Sequence, residues 1–301
     1  MEITVTPIDA TFGAMITGID LASLGEADWS IIEQAFLDYA MLVFPGQNLS
    51  ADEQSAFGHR FGETERLVPG MDLPSIPLSN AKSDGSVAKP EEHIFQVLKG
   101  NEGWHTDSSY MPLASKVAML SAQVVPPEGG GTEWADMRAA YDALDADQQT
   151  RIAGLSAYHS LYYSQAEVGY VVKTGAGYGY HDKGAPLRPL VKVHPETGRK
   201  ALFIGRHAYG IPGLSEDASR ALLGELLAAA CQPPRLYEHA WAPGDLVVWD
   251  NRCLLHRARP YDTSQPRVML ATRIAGDPGT ELAPTVRDER ASGFVPSKQN
   301  G

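Results

Sequence analysis

The sequence predicts a mainly β domain with helical insertions, a sandwich or barrel decorated by helices. Three observations carry this. Short runs of strand character stand at both ends of the patterned region, from "ITVTPI" at 3–8 to "RVMLATRI" at 267–274. Helical periodicity is confined to segments between such runs. No repeat, linker or low-complexity block divides the chain, so one domain over residues 1–301 is expected.

Taken in order, "ITVTPI" alternates like a strand and "FGAMITGIDL" continues in that style. From Asp28 the pattern changes: Trp29, Ile32, Ala35, Phe36 and Tyr39 recur at three and four, the mark of a half-buried helix. "MLVFPG" is a buried strand ended by Pro45 and Gly46. Ser50 with Glu53 forms a capping box, opening a helix on which Phe57 and Phe61 share a face. From Asn80 to Gly103 the chain is polar and broken ("NAKSDGSVAKPEE"), which predicts a mobile loop; it runs into His105, so 80–103 is an expected active-site lid.

Strand-like "KVAMLSAQVV" and the turn "PPEGGG" follow. "MRAAYDAL" and "DADQQTRIAGL" are helical, the second opened by Asp145 with Gln148. "GYVVKTGAGYGYHDKG", rich in Gly and Tyr, is an irregular insertion. "LVKV" and "ALFIG" flank the polar turn "HPETGRK" as a hairpin. Ser215 caps a helix carrying Leu222, Leu223, Leu226 and Leu227. "RLYEHA", "DLVVWD" and "RVMLATRI" are strands, and 277–301 is a weakly patterned tail.

Composition narrows the function. The 301 residues are 43% hydrophobic and carry 25 basic against 37 acidic side chains, a formal charge of −12. That balance argues against nucleic acid and anionic membrane as partners, since both need clustered Lys and Arg. No apolar run approaches the roughly 20 residues of a membrane span. "MEITVTPIDA" lacks a basic-then-apolar signal pattern. The two cysteines, Cys231 and Cys253, imply no disulfide framework. A cytoplasmic, reducing setting is expected.

Residues 104–110 read "WHTDSSY". In a strand, residues i and i+2 project to one face, so His105 and Asp107 can reach a single ion while Thr106 points away. Two imidazoles and a carboxylate on one face of an octahedron make the facial triad of a mononuclear Fe(II) oxygenase, with three adjacent positions open. The third ligand must then be a distant histidine. His59 lies on a surface-like helix and His93 in the loop, while His159, His181, His207 and His239 carry no ligand pattern. His194 competes, because "HPE" is also His-x-carboxylate, but Pro195 and the following Thr-Gly make it a turn. His256 ends "GDLVVWDNRCLLH", in which a strand, a turn and a short apolar run deliver the imidazole. Fe²⁺ with one carboxylate is net +1, suited to an anionic chelating co-substrate. A zinc site using Cys253 and His256 is the other reading of this stretch.

With these residues in hand, the chain resembles the TauD/TfdA family of Fe(II)/2-oxoglutarate-dependent dioxygenases. The likeness runs from "GAMITGIDL" and "LVFPGQNLS" to "RIAGD". It is closest to the aryloxyalkanoate (phenoxypropionate/2,4-D) branch in "PLVKVHPETGR", "IGRHA", "WDNRCLLHRA" and "PRVM". The resemblance implies a double-stranded β-helix, or jelly roll. "WHTD" matches the family's first metal segment and "WDNRCLLH" its second, giving His105, Asp107 and His256 as metal-binding and catalytic residues. A family threonine after a Gly-Gly turn corresponds to Thr132, 25 residues beyond Asp107. A family arginine that pairs with the far carboxylate of 2-oxoglutarate corresponds to Arg267, 11 residues after His256. Trp249 would pack beside the co-substrate.

Strand parity adds a further expectation. In "RVMLATRI", Arg267, Met269, Ala271 and Arg273 share one face. Several relatives bind an anionic substrate with an arginine four positions after the co-substrate arginine, where this chain has Ala271; Arg273, one pleat further, is expected to take that role. Asn101, Ser108 and Tyr110 flank the metal segment and are expected to line the substrate side, and Arg206, His207 and Tyr209, in "GRHAYG", stand where relatives line the pocket.

The resemblance thus implies Fe(II), 2-oxoglutarate and O₂ as cofactor and co-substrates. Turnover would couple decarboxylation to succinate and CO₂ with oxidation of a small anionic, carboxylate-bearing substrate. A carboxylate at Asp107, where related halogenases have a small residue, implies hydroxylation; beside an ether oxygen or amine the product can collapse with bond cleavage. Relatives form dimers or tetramers, so a homo-oligomer is expected. Two competing readings keep the same residues: a zinc or manganese hydrolase or lyase on the His/Asp/His site, and a binding protein that lost catalysis. The hydrolase reading leaves Thr132 and Arg267 without a purpose.

Overall fold

The computed structural model describes residues 2–67 and 73–289. Its main layer is a seven-stranded sheet in the order Thr4–Pro7, Ala14–Thr17, Met41–Phe44, Leu246–Asp250, Ser115–Val124, Val268–Ala275 and Ser75–Ser79. All neighbours are antiparallel except Ala14–Thr17 beside Met41–Phe44. Facing it is a smaller sheet in which Thr132–Asp136 lies between Leu236–His239 and Leu254–Ala258. Two sheets packed face to face, with helices on the outside, make the jelly roll.

Alternation along the strands sorts side chains to the two faces of the main sheet. Leu42, Phe44, Val117, Met119, Leu246, Val248 and Ile274 pack on the outer face against Trp29, Ile32 and Phe36 of helix Glu26–Tyr39 and Phe57 of helix Ala51–His59. Met41, Val43, Ala118, Leu120, Val247, Trp249, Met269 and Ala271 turn inward and meet Trp134, Ala135, Leu254 and Leu255 of the smaller sheet. Trp29, Phe57 and Phe61 meet edge to face, Phe57 and Phe61 with ring centroids 5.5 Å apart. Both expected capping boxes form, Ser50 with Glu53 and Asp145 with Gln148.

Two readings of local structure change. The stretch from Asn80 to Gly103 is not irregular throughout: His93–Gly100 is a helix. Ile94, Val97 and Leu98 repeat at three and four, a signal hidden by the polar run before them. The part of the tail described, up to Glu289, is built into the fold. Pro278–Glu281 is a short helix and Thr285–Val286 pairs with Ala185–Pro186. Buried Glu281 holds Lys192. Residues 290–301 of that tail lie outside the described residues.

Candidate active site

His256 stands on the strand Leu254–Ala258, opposite Trp134 in the register of the smaller sheet. His105 is brought to it by a two-residue bridge: each histidine donates its backbone N–H to the other's carbonyl, at 3.0 and 2.9 Å. The expected continuous strand through His105 and Asp107 is absent. His105 makes that single bridge, the chain turns from Asp107 onward, and Ser108 adopts a left-handed φ of 55°. The side chains converge all the same. Ligand atoms of His105, Asp107 and His256 all lie within 4.8 Å of one another, and the three residues are buried. Asn251 fixes the turn: its side chain accepts from the Asp107 N–H at 3.0 Å and donates to the Asp107 carbonyl at 2.8 Å and the Ser115 carbonyl at 3.0 Å.

The electrostatics suit a cation. Burial, reinforced by the neighbouring His256, drives the His105 imidazole well below its ordinary pKa; burial takes His256 down to about 4. Both rings are therefore neutral at physiological pH, as metal ligands must be. His105 Nδ1 sits 2.8 Å from the Gly103 carbonyl, which only accepts, so Nε2 is the nitrogen left for an ion. Burial opposes ionisation of Asp107, but the Arg273 guanidinium beside it outweighs burial and holds its carboxyl below the ordinary value. Two neutral imidazoles and one carboxylate fit a divalent metal with open positions.

Two adjoining cavities meet at these residues, both lined by Leu78, Asn101, His105, Asp107 and Arg273. The first is also lined by Thr132, Trp249, His256 and Arg267. Arg267 donates from Nε to the Gly130 carbonyl at 3.0 Å, while its buried Nη2 has no partner among the described residues, leaving a guanidinium donor free for an acceptor. Asn80, which sequence reasoning missed, accepts from the Arg267 N–H at 2.7 Å and ties itself to the Thr263 and Gln265 carbonyls. Thr132 Oγ1 accepts from Trp241 Nε1 at 3.0 Å. The Trp249 ring lies 4.7 Å from that of His256.

The second cavity is lined by Tyr110, His207, Tyr178 and Tyr180, with Leu67, Ile76, Val97 and Leu161 among its apolar walls. Arg273 Nη2 is 2.6 Å from Asp107 Oδ1, and its Nε is buried and unpartnered. Parity along 267–273 therefore holds, with Arg267, Ala271 and Arg273 all facing the cavities.

The remaining expected lining residues divide. Asn101, Tyr110, Arg206 and His207 reach the second cavity. Arg206 is committed there, donating to the Gly100 and Ser164 carbonyls and to Gln165 Oε1. Ser108 is wholly buried and bonded to Glu65 at 2.7 Å rather than lining the space. Tyr209 turns away into a separate groove, where it stacks on Tyr163 with centroids 4.8 Å apart. His207 stands in the turn before the strand Ala208–Tyr209, so the same-face rule for residues two apart on a strand does not apply to the pair.

His194 joins a different buried group, with Asp250 and Cys253. It is structural: both Asp250 oxygens are taken, by the Arg252 fork at 2.9 and 2.6 Å and by His194 Nε2 at 2.8 Å. Cys253 Sγ donates to the Asp250 carbonyl at 3.8 Å, away from His256. Among the described residues no helix is long and apolar enough to cross a membrane.

Residues 4–273 match the family described as "Taurine catabolism dioxygenase TauD, TfdA family". The chain is 53% identical over 285 residues to the (S)-phenoxypropionate/alpha-ketoglutarate-dioxygenase of Sphingobium herbicidovorans, covering 93% of this chain and 97% of that one. It is 41% identical over 277 residues to the alpha-ketoglutarate-dependent 2,4-dichlorophenoxyacetate dioxygenase of Cupriavidus pinatubonensis, covering 89% and 96%. The crystal structure of AAD-2 in complex with Mn(II) and N-oxalylglycine superposes with a TM-score of 0.84 at 38% identity, covering 96% of this chain and all of that one. The metal-type triad, the arginine-lined cavity beside it and these likenesses agree: the protein belongs to the TauD/TfdA family and is an α-ketoglutarate-dependent dioxygenase.

Proposed function

We propose that the protein uses Fe(II) and O₂ with 2-oxoglutarate (α-ketoglutarate) to hydroxylate an aryloxyalkanoate. The observation that carries this is the convergence of His105, Asp107 and His256 where two cavities meet, one ending in the unpartnered Nη2 of buried Arg267, the other holding Arg273 among aromatic and aliphatic walls. His105, Asp107 and His256 would hold the iron, which supplies the activation of O₂.

Arg267, oriented by Asn80 and beside Thr132, binds the far carboxylate of 2-oxoglutarate, for which a guanidinium fork is the matching donor. Trp249 packs next to His256 and keeps that side dry. Arg273 takes the carboxylate of the substrate through donors that Asp107 does not use. The apolar walls bury the aryl ring, so the carbon between carboxylate and ether oxygen lies toward the triad. Positioning of this kind selects the C–H bond that is lost. A hydroxyl placed on that carbon makes a hemiketal-type product, which expels the phenol. The hydrolase reading leaves Arg267 without a partner to bind.

The test has two stages. Fe(II) and 2-oxoglutarate added under nitrogen should give a weak visible charge-transfer band that Arg267→Gln weakens; a folded protein without the band overturns the reading. Succinate release should then be faster with (S)-2-phenoxypropionate than with taurine, and Arg273→Gln should raise KM for the first while leaving KM for 2-oxoglutarate unchanged. A preference for taurine sinks the substrate class.

A further inference from the structure

We infer that Tyr178, delivered by the Gly- and Tyr-rich segment 169–184, is a specificity-determining residue of the substrate cavity, and that Glu65 and Ser108 are positioning residues that hold its hydroxyl. The inference rests on the reading of Arg273 as the anchor for the substrate anion.

Tyr178 lines the same cavity as Arg273 and Asp107. Its hydroxyl donates to Glu65 Oε2 at 2.8 Å and lies 2.8 Å from Ser108 Oγ, which itself donates to Glu65 Oε2 at 2.7 Å. The two hydroxyls converge on one oxygen of Glu65 and stand in contact with each other beside it. Neither Glu65 nor Ser108 lines the cavity, so the carboxylate reaches the substrate space only through the phenol in front of it.

Each partner is fixed from behind. The Glu65 N–H donates to the Arg273 carbonyl at 2.8 Å, and Ala275 N–H to the Glu63 carbonyl at 2.8 Å, so Glu65 rides on the end of the strand that carries the anchor. Ser108 follows Asp107 directly and holds a left-handed φ that a residue with a β-carbon seldom adopts. Tyr178 has glycines on both sides, Gly177 and Gly179, so its own backbone supplies little rigidity and the ring depends on its hydroxyl contacts.

The consequence falls on Arg273. Its guanidinium carbon lies 5.6 Å from the centre of the Tyr178 ring, which covers one side of the fork. Nη2 is engaged by Asp107 and Nε is unpartnered. With the ring pinned, an incoming carboxylate meets the remaining donors in one orientation, and the rest of the substrate must lie along the phenol. Releasing the hydroxyl frees the ring and blurs that orientation, without touching the Arg267 end of the site.

Steady-state kinetics with (S)-2-phenoxypropionate and 2-oxoglutarate test this on Tyr178→Phe, Glu65→Leu, Glu65→Gln and the Glu65→Leu/Tyr178→Phe double. Each of the first two should raise KM for phenoxypropionate by about 3- to 10-fold, the weight of one buried hydrogen bond. KM for 2-oxoglutarate should stay within about twofold, and Glu65→Gln, whose amide oxygen still accepts, should lie nearest the wild type. The double should be no worse than the poorer single, because both remove one linkage. Effects that multiply in the double, or a KM for 2-oxoglutarate that moves in step with that for phenoxypropionate, overturn the inference. Should Glu65→Leu fail to fold, Ser108→Ala with Tyr178→Phe is judged by the same rule. Arg273→Gln separates the two readings: if it leaves phenoxypropionate KM unchanged while Tyr178→Phe raises it, the anchor falls and Tyr178 stands. The opposite pattern overturns Tyr178 alone.

Discussion

Asn251 makes three hydrogen bonds with one amide, two to Asp107's own peptide groups and one to the Ser115 carbonyl. It stands five residues before His256 in "WDNRCLLH", so a single turn both aims the strand bearing one ligand and clamps the backbone bearing another. Sequence reading passed over it because an asparagine in a turn has an ordinary local explanation. Its partners are 136 and 144 residues away. Asn251→Ala is expected to weaken metal affinity by about 10- to 100-fold, the usual loss when a ligand's support is removed. Mn(II) titration followed by calorimetry checks this, and an unchanged affinity in folded protein would remove Asn251 from the site. Asn80 does for Arg267 what Asn251 does for Asp107.

At the scale of elements, the turn between Leu246–Asp250 and Leu254–Ala258 joins the main sheet to the smaller one. Asp250 organises it: burial opposes its ionisation, but the Arg252 fork and His194 hold the carboxyl well below the ordinary carboxylate range. A carboxyl depressed on folding adds stability that is present above its unfolded value and lost as pH falls through its folded value. Asp250→Asn leaves buried Arg252 with only the half-exposed Glu196 as a charge partner and should cost at most about 3–5 kcal/mol. Urea unfolding near pH 7 measures the loss. Below the ordinary aspartate pKa of about 3.9 the gap between variant and wild type should narrow; a gap that widens on acidification contradicts the assignment. The helix His93–Gly100 illustrates the opposite case, an element that local sequence obscured. It is eight residues long with no side-chain cap, too short to stand by propensity alone, and its half-buried Phe95, Val97 and Leu98 line the two cavities.

Over the whole molecule, the reciprocal His105–His256 main-chain bonds tie the segment leading into the main-sheet strand Ser115–Val124 to a strand of the smaller sheet, so a ligand at the triad ties together distant parts of the chain. Anything that binds the folded state alone raises its stability in proportion to the logarithm of its saturation. Mn(II) with N-oxalylglycine, the pair in the AAD-2 crystal structure, should therefore raise Tm together. At about 100 times Kd the gain is about 2.7 kcal/mol. N-oxalylglycine alone should do little, since chelation needs the metal, and His256→Ala should abolish the joint shift. A shift by N-oxalylglycine that persists without metal, or in His256→Ala, would place its binding elsewhere.

Much of this was legible in the residues taken alone. Alternation placed Arg267, Ala271 and Arg273 on one face, because a pleat is a local property that needs no partner. Capping boxes and the hairpin around "HPETGRK" are likewise short-range chemistry. Only the tertiary structure decided that Tyr209 faces away from the cavity, that Ser108 lies behind its wall, and that Glu65 and Tyr178, 113 residues apart, share a hydrogen bond. Side-chain direction on a strand is fixed by the backbone within two residues, whereas which surfaces meet depends on how two sheets and their connections settle against each other.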